Sequence, residues 1–263
     1  MTYFDEDGNR LTRVFYLLLA FLLISFTALD LSDVLPTVSD SLKLAGTALC
    51  FLYTVLLLFL YHTDTDRMAL MLSMLFAVAA DVFLLFTKQY AIGVILFCFV
   101  QGFHSIRLLT IKRFVVRMNG RISASYRNYK IWKAVLLQNL IQLVFSAVVL
   151  GAAFVLKWDH TWLLAAIFFY ASGFAINLTH IFSISHDVRL LDDMKPLRCY
   201  ALGMLFYFIC DLLLAFCRLP GYVSFLSGLA GITKYVYLFV WPFYLIGLAL
   251  IATSGIRHQN FYS

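Results

Sequence analysis

Runs of about 20 apolar residues recur along the whole chain, and each is long enough to cross the ~30 Å hydrocarbon core of a bilayer as a helix. Hydrocarbon offers the backbone no water to bond, so only helices and closed barrels span it. A barrel strand would alternate apolar and polar residues, whereas these runs are apolar throughout. The 263 residues are 63% hydrophobic and 13% charged, against roughly 25% charged in soluble domains. No stretch is left over for a soluble domain. The chain reads as one all-α, polytopic integral membrane domain covering residues 1–263.

Eight spans are expected, at about 14–31, 42–61, 68–87, 90–110, 134–156, 162–185, 199–217 and 232–253. No A-x-A-like cleavage site follows the first apolar run, so that helix is expected to be retained. The longest polar connections are 111–133 and 186–198. The segment 218–231 is apolar but broken by Pro220, Gly221, Gly228 and Gly231, as an interfacial or re-entrant segment would be. Pro242 is expected to kink the last span, because it removes a backbone donor and crowds the preceding turn.

Lys and Arg set the orientation. With the N-terminus inside, fifteen of the twenty fall in cytoplasmic segments and three, Lys88, Lys157 and Arg218, in external ones. Lys43 and Lys234 belong to spans. The bias predicts an N-in, C-in protein with eight crossings, in the cytoplasmic membrane if the source is bacterial. The segment 107–133 carries eight positive charges and no acid, interleaved with Phe114, Tyr126, Tyr129 and Trp132. Between two spans, such a loop is expected to meet anionic lipid headgroups rather than nucleic acid.

One motif occurs twice. MLFAVAADVFLLF at 74–86 returns as MLFYFICDLLLAF at 204–216, with six of thirteen positions identical, Asp81 and Asp211 among them. Each motif lies on the third span of a half, about 1–133 and 134–263. Spans 3 and 7 run in the same direction, so the halves form two parallel four-helix pseudo-repeats. At ~1.5 Å per residue both aspartates lie some 18–20 Å from the cytoplasmic end. If spans 3 and 7 are neighbours, the carboxylates face each other. A carboxylate near the bilayer centre costs at least ~2.5–3.5 kcal/mol. Either each aspartate ties helices together, or the pair has a function, and the matched depth favours the pair.

Other polar residues in the spans are candidates to join them. Gln101 and His104 share one face of span 4, as Asn177 and His180 share one of span 6. Gln138, Asn139 and Gln142 lie on span 5. For the amides, helix–helix hydrogen bonding is the alternative role. Lys43, opening span 2, is placed to neutralise a carboxylate, hold a lipid phosphate, or snorkel to the interface. His104 and His180 are the only histidines within spans, and no H-E-x-x-H spacing supports a metal. No G-x-S-x-G elbow accompanies Ser105 and His104. The five cysteines show no C-x-x-C spacing and read as small buried hydrophobes. No cofactor is indicated.

On these residues the chain resembles the YhhN-like lysoplasmalogenase family of eight-span membrane proteins. Short motifs spread over most of the chain carry the likeness. DVFLLF at 81–86 with YAIG at 90–93 and Phe97 is similar to the family's Gly-Asp run and its Phe/Gly-containing next helix. GMLF at 203–206 through DLLLA at 211–215 is similar to its Gly-x-x-Phe-x-x-Ser-Asp pattern, and Lys43 matches a common lysine. Ala80 and Cys210 stand where the family has Gly or Ser. Its His-x-x-Tyr of span 4 appears as QGFH at 101–104, and Tyr244 stands where the last helix carries Gln or His.

The resemblance implies hydrolysis of the vinyl ether bond of a lysoplasmalogen, with Asp81 and Asp211 catalytic. It implies that Lys43, Gln101, His104, Asn177 and Tyr244 line the substrate site, with His104 as a proton relay and Lys43 on the phosphate. A vinyl ether resists base and yields to acid: protonation gives an oxocarbenium ion that water attacks. One protonated and one ionised carboxyl suit that chemistry, as they do in glycosidases. Two other readings stay open. One is a non-catalytic transporter or sensor using the same aspartates, although Gly- or Pro-broken helices in both halves, common in transporters, are missing. The other is an intramembrane hydrolase of ester, amide or peptide.

Overall fold

In the computed structural model, residues 3–61, 64–87, 89–118, 131–155, 161–187, 195–218 and 230–255 are described, and they contain helices and no strand. The helices are α1 (Tyr3–Ser32), α2 (Pro36–Leu60), α3 (Thr65–Val82), α4 (Tyr90–Met118), α5 (Ile131–Val155), α6 (Thr161–Asp187), α7 (Lys195–Arg218) and α8 (Ala230–Thr253). All eight contain a stretch long and apolar enough to cross a membrane, which makes this a multi-pass integral membrane protein. The expected spans correspond to them one for one. Of the expected re-entrant stretch 218–231, Arg218 ends α7 and Ala230 and Gly231 open α8, while 219–229 lie outside the described residues, as do 119–130 of the basic loop and 188–194.

Local chemistry explains several boundaries. Asp64 caps α3 by accepting the Arg67 backbone N–H at 2.8 Å, which satisfies one orphan donor of the first turn. Pro36 opens α2, where its missing N–H costs nothing. The α1–α2 turn is tight: Asp33 and Leu35 both adopt positive φ, 55° and 53°. Left-handed backbone at a residue with a side chain costs roughly 1–2 kcal/mol, so the packing on either side must hold this turn. Two ends differ from expectation. α4 continues to Met118, beyond 110, where Lys112, Arg113 and Arg117 are good helix formers, and α1 starts at Tyr3, before 14. α8 runs through Pro242.

The chain packs as two units, each drawing on both sequence halves: residues 1–53 with 196–263, and residues 54–195. In the first, Phe15 of α1 stacks on Tyr53 of α2 at 4.2 Å, and Tyr16 bonds Thr253 of α8 at 3.0 Å. The α7–α8 contact is built on two glycines. A Cβ placed on Gly203 would sit 2.8 Å from the Gly247 carbonyl oxygen, and one on Gly247 would sit 2.9 Å from the Tyr207 nitrogen. Without a hydrophobic drive between helices in lipid, such close approach supplies the attraction. Gly46 of α2 similarly admits Leu245 of α8.

In the second unit, α4 is central, against α3, α5 and α6. Phe76 of α3 stacks on Phe99 and Phe103 of α4, at 5.2 and 5.5 Å. Gly173 of α6 leaves room for the Gln142 side chain of α5.

The glycine crossing yields a test. Gly203→Leu must push α8 backbone aside, and overpacking of this kind costs about 1–3 kcal/mol. Gly151, exposed with open space around its Cα, should accept Leu without loss. Thermal unfolding in detergent should show a lowered midpoint for Gly203→Leu and an unchanged one for Gly151→Leu.

Candidate functional site

Asp81 stands in the last turn of α3 and is 1% exposed. The helix changes character immediately after it. Residues Phe83–Thr87 form a π-helical turn, a wider winding that closes the span. Leu84 of this turn packs where a side chain on Gly93 would be, 2.7 Å from the Cβ position, and the Ala80 carbonyl oxygen lies 3.4 Å from the same point. Gly93 thus lets α4 close against the segment that carries Asp81.

The contacts Asp66–Arg107, Phe76–Phe99 and Ala80–Gly93 set an antiparallel register between α3 and α4. Asp81 is level with Gly93. Gln101 therefore lies ~12 Å further along α4 and His104 ~16 Å, at 1.5 Å per residue. A direct relay from His104 to Asp81 does not fit that spacing.

Gln101 and Asn177 come together, in a network joining three helices. Asn177 donates to the Gln101 backbone oxygen at 2.9 Å and to its Oε1 at 3.0 Å. Ser105 donates to Asn177 Oδ1 at 2.8 Å, and Gln138 of α5 donates to Ser105 Oγ at 2.8 Å. All four residues are buried. These bonds hold α4, α5 and α6 together, the alternative role of intramembrane amides, and leave the buried Gln101 Nε2 without a partner among the described residues. His104, one residue before Ser105, is fully buried.

In the other unit, Lys43 and Tyr244 both pack against Trp241, and Asp211 stands on the neighbouring α7. Gly203–Gly247, Tyr207–Tyr244 and Cys217–Thr233 set an antiparallel α7–α8 register. That register brings half-buried Asp211 level with Phe239 and Val240, the residues just before Trp241. Lys43, 4% exposed, holds its Nζ 5.6 Å from the centre of the Trp241 ring, a cation–π distance. Tyr244, a turn beyond, packs edge-on against both Trp241 and Tyr207, at 5.4 and 5.3 Å. The Lys43 ammonium also bridges Asp30 of α1 at 3.0 Å and Asp40 at 3.2 Å. Ser39 donates to the same Asp30 carboxylate. Lys43 therefore neutralises carboxylates, and the cluster of one ammonium with these two carboxylates is net negative. An ammonium shared in this way attracts a phosphate less than a lone one.

Asp30, Asp40, Ser39 and Trp241 were not among the expected site residues. Only Asp40, three residues before Lys43 on one helix face, was signalled by spacing. Arg107 is a correction of a different kind. Counted with the basic loop, it is instead inside α4, 1% exposed, with its Nε 3.1 Å from Asp66 Oδ1, itself 1% exposed. Its charge is neutralised across the helix pair, so it is not part of the loop's basic surface. Among the described residues no three His, Cys, Asp or Glu side chains are grouped to hold a metal.

Removing one partner of a buried ion pair strands the other charge, at about 3–5 kcal/mol. Asp66→Leu should therefore lower the unfolding midpoint strongly, whereas Asp66→Leu with Arg107→Met should recover much of the loss. A double variant no more stable than the single one would show that the pair is not coupled.

No protein-family model, curated protein or solved structure matches the chain.

Proposed function

We propose that this protein is an intramembrane lipid hydrolase of the lysoplasmalogenase type, a divergent relative of the YhhN-like family, cleaving the vinyl ether bond of a lysoplasmalogen with Asp81 and Asp211. The observation that carries the reading is Asp81: a carboxyl 1% exposed inside a membrane-spanning segment, two residues before its closing π-helical turn. Intramembrane ionisable residues are costly and mark functional sites. The repeat of its motif around Asp211, and the place of Asp211 on α7 about one turn from Trp241 and Tyr244 along α8, support it further.

In this reading one aspartate is protonated and donates its proton to the β-carbon of the vinyl ether. The double-bond electrons form the new C–H bond and leave an oxocarbenium ion on the ether carbon. The second, ionised aspartate stabilises that cation and takes a proton from the water that attacks it. The resulting hemiacetal collapses to a fatty aldehyde and the glycerophospho-alcohol. Water is the only co-reactant. The topology proposed with it is N-in and C-in, with parallel repeats in a cytoplasmic membrane.

The test is aldehyde release from lysoplasmalogen by the purified full-length protein. General acid–base groups contribute about 10²–10⁴-fold, so Asp81→Asn and Asp211→Asn should each lose activity by factors in that range while keeping the wild-type unfolding midpoint. Unimpaired release by either variant would refute the two-carboxyl assignment. An inactive wild type that hydrolyses an ordinary lysophospholipid would reassign it as an ester hydrolase. A wild type inactive on both would favour the non-catalytic reading, which the net-negative cluster around Lys43, suited to a cation, supports.

A further inference from the structure

The second packing unit contains a cleft of about 450 Å³ between α4, α5 and α6, lined by Ile95, Phe99, Gly102, Phe103 and Ile106 of α4 and Phe169 of α6, among others. Its lining is almost wholly apolar, with Asn139 of α5 as its one amide. Gly102 opens it to the α4 backbone: a Cβ there would meet nothing within 4 Å. The α4 residues from Ile95 to Ile106 run ~16 Å along the axis, close to the ~15 Å depth of one leaflet's hydrocarbon. Among the described residues of α4, α5 and α6, the lysines and arginines beyond the cleft stand at one end. Lys112 and Arg113 follow Ile106 on α4, and Lys133 precedes Asn139 on α5. Lys112 begins ~9 Å beyond Ile106. Its flexible stem, like that of Arg113, can bring the charge back toward a headgroup.

We propose that this cleft binds one hydrocarbon chain of an anionic phospholipid, with its headgroup on Lys112, Arg113 and Lys133. Three independent features agree on this occupant. The length fits a single chain within one leaflet, the lining is apolar, and the positive charge lies where the headgroup of such a lipid would be. Attraction of anionic headgroups to juxtamembrane Lys and Arg is worth about 1 kcal/mol per residue, so the three together give preference for anionic over zwitterionic lipid, and the cleft converts surface attraction into a defined site. Asp81 is not among the residues that line the cleft.

The test uses the full-length protein in detergent, with native mass spectrometry reading bound lipid as phosphatidylglycerol or phosphatidylcholine of identical chains is titrated in. Wild type should retain one phosphatidylglycerol at concentrations at least tenfold below those needed for phosphatidylcholine. Gly102→Phe, which fills the cleft, should weaken both lipids tenfold or more, while Gly151→Phe, on an exposed helix face, should not. Lys112→Gln with Arg113→Gln and Lys133→Gln should abolish the preference between the two. Equal retention of both lipids by wild type, or wild-type retention by Gly102→Phe, would overturn the proposal. Should Gly102→Phe fail to fold, phosphatidylglycerol carrying a mid-chain diazirine decides the matter on the wild type. Adducts concentrated on 95–106 and Phe169 support the cleft, and adducts spread evenly over the lipid-facing helices overturn it.

Discussion

Inside a bilayer a polar group must find its partner within the protein, because lipid supplies none. Much of how these helices pair follows from how that demand is met. The backbone meets it by forming helices. Arg107 and Asp66 meet it by pairing across α3 and α4, and Lys43 by drawing in Asp30, Asp40 and the Trp241 ring. The amides of α4, α5 and α6 meet it by bonding one another. Such polar contacts are directional, unlike apolar packing, so they help select which helix faces meet.

The two packing units solve the association problem differently. Residues 1–53 and 196–263 rely on close backbone approach, through Gly203, Gly247 and Gly46. Residues 54–195 rely on the amide and hydroxyl network, reinforced by the Phe76–Phe99–Phe103 stack. A small-residue contact leaves little slack, because backbone cannot repack as a side chain can. A side-chain network tolerates adjustment and leaves room for a cleft such as the one beside Gly102.

Much of the architecture is legible in the sequence, since span length and apolar content depend only on residues near one another along the chain. Depth is legible for the same reason: counting residues along a helix puts Asp81 and Asp211 well inside their spans. Partners were harder to foresee. Nothing local marks Asp30 as the companion of Lys43, because the two meet only when α1 and α2 fold back through a strained turn. Arg107 looks like part of a basic surface until Asp66, 41 residues earlier, is brought beside it. His104 and Gln101 look like neighbours of Asp81 as long as only the list of polar residues is considered. The antiparallel register with α3 places them two to three helical turns away. Spacing within one helix reports which side chains share a face, and it says nothing of which face another helix presents to them.

The π-helical turn after Asp81 has a consequence for how this segment can change. A π turn holds one more residue than the α turn it replaces, so it amounts to an insertion that the helix has absorbed without unravelling. Removing any one residue between Phe83 and Thr87 would return the segment to α winding and move each later side chain one place along it. The fit of Leu84 into the space beside Gly93 would be lost in the same step. This short segment therefore acts as a length gauge: substitutions that keep its size can be absorbed one by one, whereas a change in residue count alters the turn that follows Asp81.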